Sequence, residues 1–171
     1  VWNVPFGQQL TGVMGAIAAG WQFSGIATLQ SGSPVHVTQD GDILQTDPSG
    51  GTNNEIRPNL VEGQNPILSS DERTLQRWFN TAAFTRATLT YGTSYRNPVV
   101  GPGLKVLDIA LSKSFRIREG HQLQFRWEAF NALNTPQFSN PDGILGTAAF
   151  GVISSTRQNN REMQFSLKYL F

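Results

Sequence analysis

The last stretch of the chain, residues 161–171, alternates between apolar and polar side chains, and this pattern restricts the fold more than any other feature. On one face of an extended strand it places the apolar side chains of Met163, Phe165, Leu167, Tyr169 and Phe171. The residues between them are polar, with Leu170 as the exception. Because successive side chains of a strand point to opposite faces, this segment needs an apolar medium on one side and a polar medium on the other.

The composition agrees with strands of this kind. Charged residues make up 15% of the 171 residues, well below the roughly 25% of an average soluble domain. The net charge of +1 gives no reason to expect a nucleic-acid partner, and the absence of cysteine excludes a disulfide scaffold and a thiolate metal site. No apolar run approaches the roughly 20 residues of a membrane-spanning helix, whereas a barrel strand needs only about 9–11 alternating residues.

The alternation recurs along the chain and predicts strands at residues 1–6, 20–38, 104–117, 122–133 and 161–171. A small-residue connection at 7–19 is expected to contain a weak helical turn. The apolar face of 104–117 carries one charge, Lys113, which we expect to reach lipid headgroups from near a strand end. Trp21, Phe23, Phe125 and Trp127 are predicted to face lipid or to belong to an aromatic girdle.

The connections between the strands differ strongly in length. Residues 118–121 form a tight turn, whereas the segments 39–103 and 134–160 are long and rich in turn-forming residues. Bacterial barrels have short periplasmic turns and long extracellular loops. We therefore predict an all-β fold in which residues 1–171 form an antiparallel up-and-down meander. This meander is part of the wall of a transmembrane β-barrel, incomplete because it has fewer than the roughly eight strands of the smallest barrels.

Several stretches, taken in order, resemble the C-terminal barrel segment of TonB-dependent outer-membrane receptors, of the Oar-like type that carries a carboxypeptidase-regulatory-like domain. They are residues 20–26 (GWQFSGI), 29–34 (LQSGSP), 77–84 (RWFNTAAF), 108–115 (DIALSKSF), 126–134 (RWEAFNALN) and the terminal Phe171. The resemblance implies a bacterial outer-membrane location and a part in uptake by the parent protein. The partners it implies are outer-membrane lipid, a plug domain and through it TonB, the barrel assembly machinery at the C-terminal strand, and a ligand that the sequence does not identify. Since the chain opens without Met or a signal peptide, we expect it to be the C-terminal part of a longer protein.

Candidate ligand contacts lie in the first long loop, because exposed aromatic rings stack on sugars or pack on peptides. They are Trp78, Phe79, Phe84, Tyr91 and Tyr95, and the alternative is that these rings form a small core of the loop itself. A short helix at 71–79, capped by Ser70 or Asp71, is expected beside them.

Polar residues on the barrel strands are predicted to face the lumen. This set comprises Asp108, Gln124, Arg126 and Glu128. Arg126 and Glu128 share a face and are expected either to form a cross-strand network in the wall or to contact a plug. In the C-terminal strand, we assign Phe165, Tyr169 and Phe171 to barrel assembly and to the membrane interface.

No constellation in the sequence predicts catalysis or a cofactor. His36 and His121 lack metal-ligand spacing, and no Gly-x-Ser-x-Gly elbow or phosphate-binding loop occurs. The spacing of Asp40, Asp42 and Asp47 departs from a calcium loop and favours a solvated turn. We therefore predict a protein that is not an enzyme. The alternative to a membrane barrel is a soluble all-β module of a secreted protein that binds carbohydrate or mediates adhesion, since it too has alternating strands and aromatic loops.

Overall fold

A computed structural model describes residues 1–41 and 56–171, which divide into two compact units. The sheet unit comprises Val1–Leu29, Lys105–Pro136 and Gln158–Phe171, and the loop unit comprises Gln30–Leu104 and Gln137–Arg157. In chain order the elements are β1 (Trp2–Asn3), α1 (Gly12–Ala18), β2 (Trp21–Gln30), β3 (Pro34–Val35), β4 (Thr38–Gln39), β5 (Asn59–Leu60), a 3-10 turn (Thr81–Ala83), β6 (Phe84–Thr85), β7 (Val99–Val100), β8 (Leu104–Arg118), β9 (His121–Phe130), β10 (Ile144–Leu145) and β11 (Glu162–Leu170). Among the described residues, no helix is long and apolar enough to cross a membrane.

The sheet unit is built on one five-stranded sheet in the order β1-β2-β8-β9-β11. The pairs β1–β2, β8–β9 and β9–β11 are antiparallel. The strands are neighbours in the order in which the chain reaches them, apart from the short strands of the loop unit. The predicted all-β meander with an incomplete wall is therefore confirmed.

The strand register confirms the two predicted faces. Phe165 lies opposite Trp127, which lies opposite Leu111, and the next row of this apolar face contains Leu167 and Phe125. The opposite face carries polar rows such as Ser166, Arg126 and Ser112. The apolar side chains of β11 remain open on their face, with Phe165 at 70% exposed and Leu167 at 67%. The sheet thus separates an apolar surface from a polar one.

The connections also follow the prediction. Only Glu119 and Gly120 separate β8 from β9, and Gly120 has φ +76°, a left-handed conformation that glycine adopts without strain. The predicted helical turn in 7–19 is present as α1. Residues 31–103 and 131–161 form the long connections from β2 to β8 and from β9 to β11. This difference in connection length is the one on which the barrel prediction rests.

The role predicted for Lys113 is wrong. Its side chain is 4% exposed, and its Nζ donates hydrogen bonds to the carbonyl oxygens of Ile17, at 2.8 Å, and Ala19. These two residues close the C-terminal end of α1. The ammonium therefore binds the helix within the sheet unit and does not extend to headgroups.

The predicted strand 20–38 is too long. It ends at Gln30, and the residues beyond it form β3, which pairs with β7, and β4, which pairs in parallel with β10. Val35 and Val37 are buried in the core of the loop unit, which explains why the alternation continues in the sequence. The strand predicted at 122–133 also ends early, at Phe130, because Asn131 adopts a positive φ of 49°.

The loop unit has its own hydrophobic core. Phe79, Phe84 and Phe150 pack edge to face, with ring centroids 5.1–5.9 Å apart. Around them lie buried Val35, Val37, Ala83 and Val99. The short pairs β3–β7, β4–β10 and β5–β6 tie the irregular chain to this core. A long connection can be ordered in this way because it buries apolar surface of its own.

The helix predicted at 71–79 does not form. The segment is a series of turns in which Ser69, and neither Ser70 nor Asp71, makes the capping contact. The hydroxyl of Ser69 donates to Glu72 Oε2 at 2.7 Å, and its backbone N–H donates to the same oxygen at 3.2 Å. The turns bring Trp78 and Phe79 to the core without a helical face.

Candidate functional site

The polar face of the sheet carries a hydrogen-bonded network on β9 and β11. Arg126 Nη2 lies 2.5 Å from Glu128 Oε1, and Gln164 of the neighbouring strand donates from Nε2 to Glu128 Oε2. Glu128 lies directly opposite Gln164 in the register. The side chain of Glu128 is 18% exposed and that of Arg126 is 51% exposed. Glu128 is therefore engaged in the wall, while half of Arg126 faces open space.

The other polar residues predicted to face the lumen take separate positions on this face. Gln124 lies between Ser114 and Lys168 in the register. Asp108 Oδ1 accepts the backbone N–H of Asn131 at 2.8 Å, which fixes the end of β9. A shallow depression lined in part by Ser24, Asp108, Arg126 and Glu128 connects these groups. The structure therefore brings Asp108, Arg126 and Glu128 to one surface.

The five aromatic residues predicted as ligand contacts divide into buried and exposed ones. Phe79 is 0% exposed and Phe84 is 6% exposed, so the prediction is wrong for these two, which belong to the loop core. Trp78 is partly buried and its indole Nε1 donates to Val100 O at 2.9 Å. Tyr91 is 77% exposed and Tyr95 is 52% exposed. The two tyrosines are the members of the set whose rings are open to a ligand.

Arg73 stands beside Trp78 and was not predicted as a site residue. Its guanidinium carbon lies 5.5 Å from the centre of the Trp78 ring, and its Nε donates to Leu68 O at 3.0 Å. Together with Leu68 and Val99 they line a small, mostly apolar depression. The spacing of five residues between Arg73 and Trp78 gives no periodic signal, which is why the sequence did not indicate the pair.

In residues 1–41 and 56–171, the histidines and acidic residues are not grouped as metal ligands. Among the described residues, no group of three or more His, Cys, Asp or Glu side chains could hold a metal ion. His121 Nδ1 lies 2.5 Å from the hydroxyl of Tyr169, with the two rings stacked at 5.7 Å. Asp40 pairs with Arg86. Asp42 and Asp47 lie outside the described residues.

The three residues assigned to assembly and interface lie at one edge of the sheet unit. Phe165 and Tyr169 belong to β11, which is an edge strand of the sheet, and Phe171 follows it. Tyr169 and Phe171 stack with ring centroids 5.9 Å apart, and Phe165 lies 6.4 Å from Phe125. Phe171 is 93% exposed. The apolar face thus ends in a row of open aromatic rings.

A comparison with protein-family models identifies the family to which this sheet belongs. The model described as "Outer membrane beta barrel domain" matches residues 1–164. No curated protein and no solved structure matches the chain. The match covers the sheet unit from β1 into β11, so the alternative of a soluble carbohydrate-binding or adhesion module is wrong. The apolar face of the sheet faces lipid, the polar face lines the barrel, and the location is the bacterial outer membrane. The chain belongs to the outer membrane beta barrel domain family.

Proposed function

We propose that the chain forms part of the barrel wall and the ligand-contacting loops of a TonB-dependent uptake receptor of the Oar-like type. The support for this class is the ordered set of resembling stretches, from residues 20–26 to 126–134, within a chain of the barrel family. The proposal requires a plug domain and an energy-coupling segment elsewhere in the parent protein, and TonB as the partner that pulls on them. It assigns no catalytic step, cofactor or nucleic-acid partner to this chain.

One observation carries the ligand-contact part of the proposal. In the loop unit Phe79 and Phe84 are buried, while Tyr91 and Tyr95 expose 77% and 52% of their surface. Large exposed rings on an ordered loop gain contact area on binding at a low cost in side-chain entropy. Exposed tyrosine rings can contact either sugars or peptides, so the proposal includes both ligand classes.

Arg126 is the residue we assign to plug contact. Glu128 accepts hydrogen bonds from Arg126 and from Gln164, and the Arg126 side chain, although paired with Glu128, is half exposed on the face that lines the barrel. A guanidinium has five N–H donors, so an arginine that is paired through one nitrogen can also bind a second carboxylate. An acidic side chain of the plug is therefore the expected partner.

The C-terminal strand is the part we assign to recognition by the barrel assembly machinery. Its outward rings, among them Tyr169 and Phe171, are open and stacked on each other. Deletion of Phe171 from the full-length protein is expected to reduce the folded, surface-displayed fraction. Unchanged display after the deletion would remove Phe171 from this role.

The test of the receptor class uses the full-length protein and the purified periplasmic domain of TonB as the probe. We expect the detergent-solubilised protein to retain this domain in a pull-down, and deletion of the TonB gene in the host to abolish energy-dependent uptake. A protein that is folded in the outer membrane but does not bind the TonB domain would overturn the receptor class.

The ligand-contact part is tested separately with two tyrosine variants. The probes are a fluorescein-labelled glucan oligosaccharide and a fluorescein-labelled casein digest, applied to cells that display the protein. The double variant Tyr91→Ala with Tyr95→Ala is expected to lose binding at least about tenfold, which corresponds to roughly 1.4 kcal/mol. The matched double variant to Phe keeps both rings and is expected to retain it. Equal binding by the Ala and Phe variants would exclude contact through the rings.

A further inference from the structure

The segment that contains α1 has an unusual surface for a connection between strands. Residues 7–20 contain no charged side chain, and α1 has neither an acidic first turn nor a basic last turn. The exposed apolar side chains of this segment are Leu10 (50%), Val13 (75%), Met14 (67%) and Ile17 (58%), and exposed Phe6 (71%) directly precedes it. Several large apolar side chains exposed on one short segment indicate a contact with a partner or with a membrane.

α1 is held to the sheet by its C-terminal carbonyl groups. Lys113 Nζ donates to Ile17 O and Ala19 O, and Trp21 Nε1 donates to Ile17 O at 3.0 Å. The ammonium also lies 5.4 Å from the Trp21 ring centre and 4.9 Å from that of Phe115. A cation at a helix C-terminus satisfies carbonyl groups that have no partner in the helix and interacts favourably with the helix dipole. Lys113 thus supplies the basic group that the last turn of α1 lacks.

Close backbone contacts fix the shape of the segment. Gly15 is buried, and a Cβ at this position would lie 2.1 Å from Leu10 O. Gly7 has φ +78°, and a Cβ there would lie 2.8 Å from Ala18. The chain before α1 therefore folds back tightly on the helix. The exposed apolar side chains stand on a compact structure and not on an extended linker.

We propose that α1 is a lipid anchor whose exposed side chains insert among the phospholipid acyl chains at the membrane interface. The argument is one of continuity, because Lys113 shares its face of β8 with Leu111 and Phe115, and this face meets lipid in the barrel. A helix bonded to Lys113 lies on the same side. This inference depends on membership of the barrel family and not on the receptor proposal.

The chemistry of Lys113 and the length of α1 indicate that α1 lies at the membrane interface and not deep in the bilayer. An ammonium within a membrane is costly unless it is paired, and here two carbonyl groups and two aromatic rings surround it. The seven residues of α1 are about 10 Å long at 1.5 Å per residue, far too short to cross the bilayer. A helix that lies in the interface plane buries its apolar face only about 5–10 Å deep, a depth that does not require a spanning length.

The experiment places an environment-sensitive label at Met14 of the full-length protein, in a background without other cysteines. Met14→Cys carries an NBD fluorophore, and the protein is reconstituted in phosphatidylethanolamine–phosphatidylglycerol vesicles. The control is Ser114→Cys, since Ser114 is exposed on the polar face, opposite Gln124. We expect lipids with a doxyl group at carbon 5 to quench the label at position 14 at least twofold more than the label at 114. Iodide in the buffer is expected to quench the label at position 114 more than the label at position 14. Stronger quenching of position 14 by iodide than by the doxyl lipid overturns the proposal.

The role of Lys113 is tested in the same labelled protein. Lys113→Met removes the charge and is expected to reduce doxyl quenching at position 14 at least twofold, because α1 loses its attachment. Leu111→Met on the same face is the matched control and is expected to leave it unchanged. Unchanged quenching in Lys113→Met would exclude Lys113 as the attachment. If that variant fails to assemble, the labelled protein with native Lys113 decides whether α1 lies in lipid.

Discussion

The side-chain amide of Gln39 exchanges two hydrogen bonds with the backbone of Ala87. Gln39 Nε2 donates to Ala87 O at 3.1 Å, and the Ala87 N–H donates to Gln39 Oε1 at 2.9 Å. Both residues are 0% exposed. The amide thus makes with the Ala87 backbone the two hydrogen bonds that a neighbouring strand would make. It joins two parts of the loop unit that are 48 positions apart in sequence.

Gln39→Ala is expected to loosen the loop unit. The substitution leaves the buried N–H and C=O groups of Ala87 without these partners, and an unsatisfied buried group costs about 1–3 kcal/mol. With about 2 kcal/mol lost, trypsin should cut the loop arginines, such as Arg86, roughly 30-fold faster in full-length protein in membranes. Gln76→Ala is the matched control, because Gln76 is exposed. Equal cleavage rates for the two variants would contradict the role of Gln39.

Phe79→Ala tests the assignment of this ring to the core. Phe79 is fully buried and packs edge to face on Phe84 and Phe150, so its removal is expected to cost about 3–5 kcal/mol of loop-unit stability. Tyr91→Ala changes an exposed ring and is expected to leave stability within about 0.5 kcal/mol. Protease resistance of the displayed protein measures both. A Phe79→Ala protein as resistant as Tyr91→Ala would show that the aromatic cluster does not hold the loop unit together.

The strands and their faces were predictable because a period of two is a local property of the sequence. The rows through Leu111, Trp127 and Phe165 follow from alternation alone, once the short β8–β9 turn sets the register. Alternation does not say which sheet a residue joins. Val35 and Val37 alternate like β2 but are buried in the loop unit, so the predicted strand ran past Gln30.

Contacts over long sequence distances account for what the sequence did not reveal. Lys113 lies 96 positions from Ile17, and no local pattern links a charge on an apolar strand to a helix end. The loop aromatics look alike in sequence, yet Phe79 is buried and Tyr91 is exposed. The buried rings, Phe79 and Phe84, are those that pack on Phe150. In the sequence, the exposed rings differ from them by the polar hydroxyl of tyrosine.

The turn at Ser69 and Glu72 is expected to depend on pH. Hydrogen bonds from the Ser69 hydroxyl and its backbone N–H lower the pKa of the Glu72 carboxyl below its ordinary value of 4.5. A group with a lowered folded-state pKa stabilises the fold above its unfolded pKa, and this contribution is lost as the pH falls through the folded value. The turn is therefore fully supported at neutral pH and loosens in acid below 4.5.

The Ser69→Ala variant tests this cause directly. It removes the hydroxyl and is expected to raise the pKa of Glu72 toward 4.5, as followed by the carboxyl carbon-13 signal of labelled full-length protein in micelles. The pKa of Asp71 should rise as well, because Ser69 is the first cause of its lowering. Ser70→Ala is the control and should move neither signal. An unchanged Glu72 titration in Ser69→Ala would assign the shift to another group.

Substitutions of Asn131 are expected to lower the thermal stability of the protein by different amounts. It is 5% exposed, has φ +49°, and its side chain exchanges hydrogen bonds with Thr135 at 3.0 and 3.1 Å. Asn131→Ala loses these bonds and leaves in the left-handed region a residue without the short polar side chain that helps Asn to adopt it, at a strain of about 1–2 kcal/mol. Asn131→Gly loses the bonds alone. The temperature at which the folded band disappears in gel electrophoresis should fall most for Ala and less for Gly, whereas equal melting of Ala and Gly would rule out backbone strain.

The two faces of β8 are expected to respond oppositely to the same new charge. Leu111 lies near the middle of the strand on the face that meets lipid, where an arginine costs about 2–4 kcal/mol. Ala110 lies on the polar face opposite Glu128, where an arginine finds an acidic neighbour. Leu111→Arg should therefore reduce the folded, heat-modifiable fraction in outer membranes severalfold, while Ala110→Arg stays near the native level. A larger loss for Ala110→Arg than for Leu111→Arg would mean that the apolar face does not meet lipid.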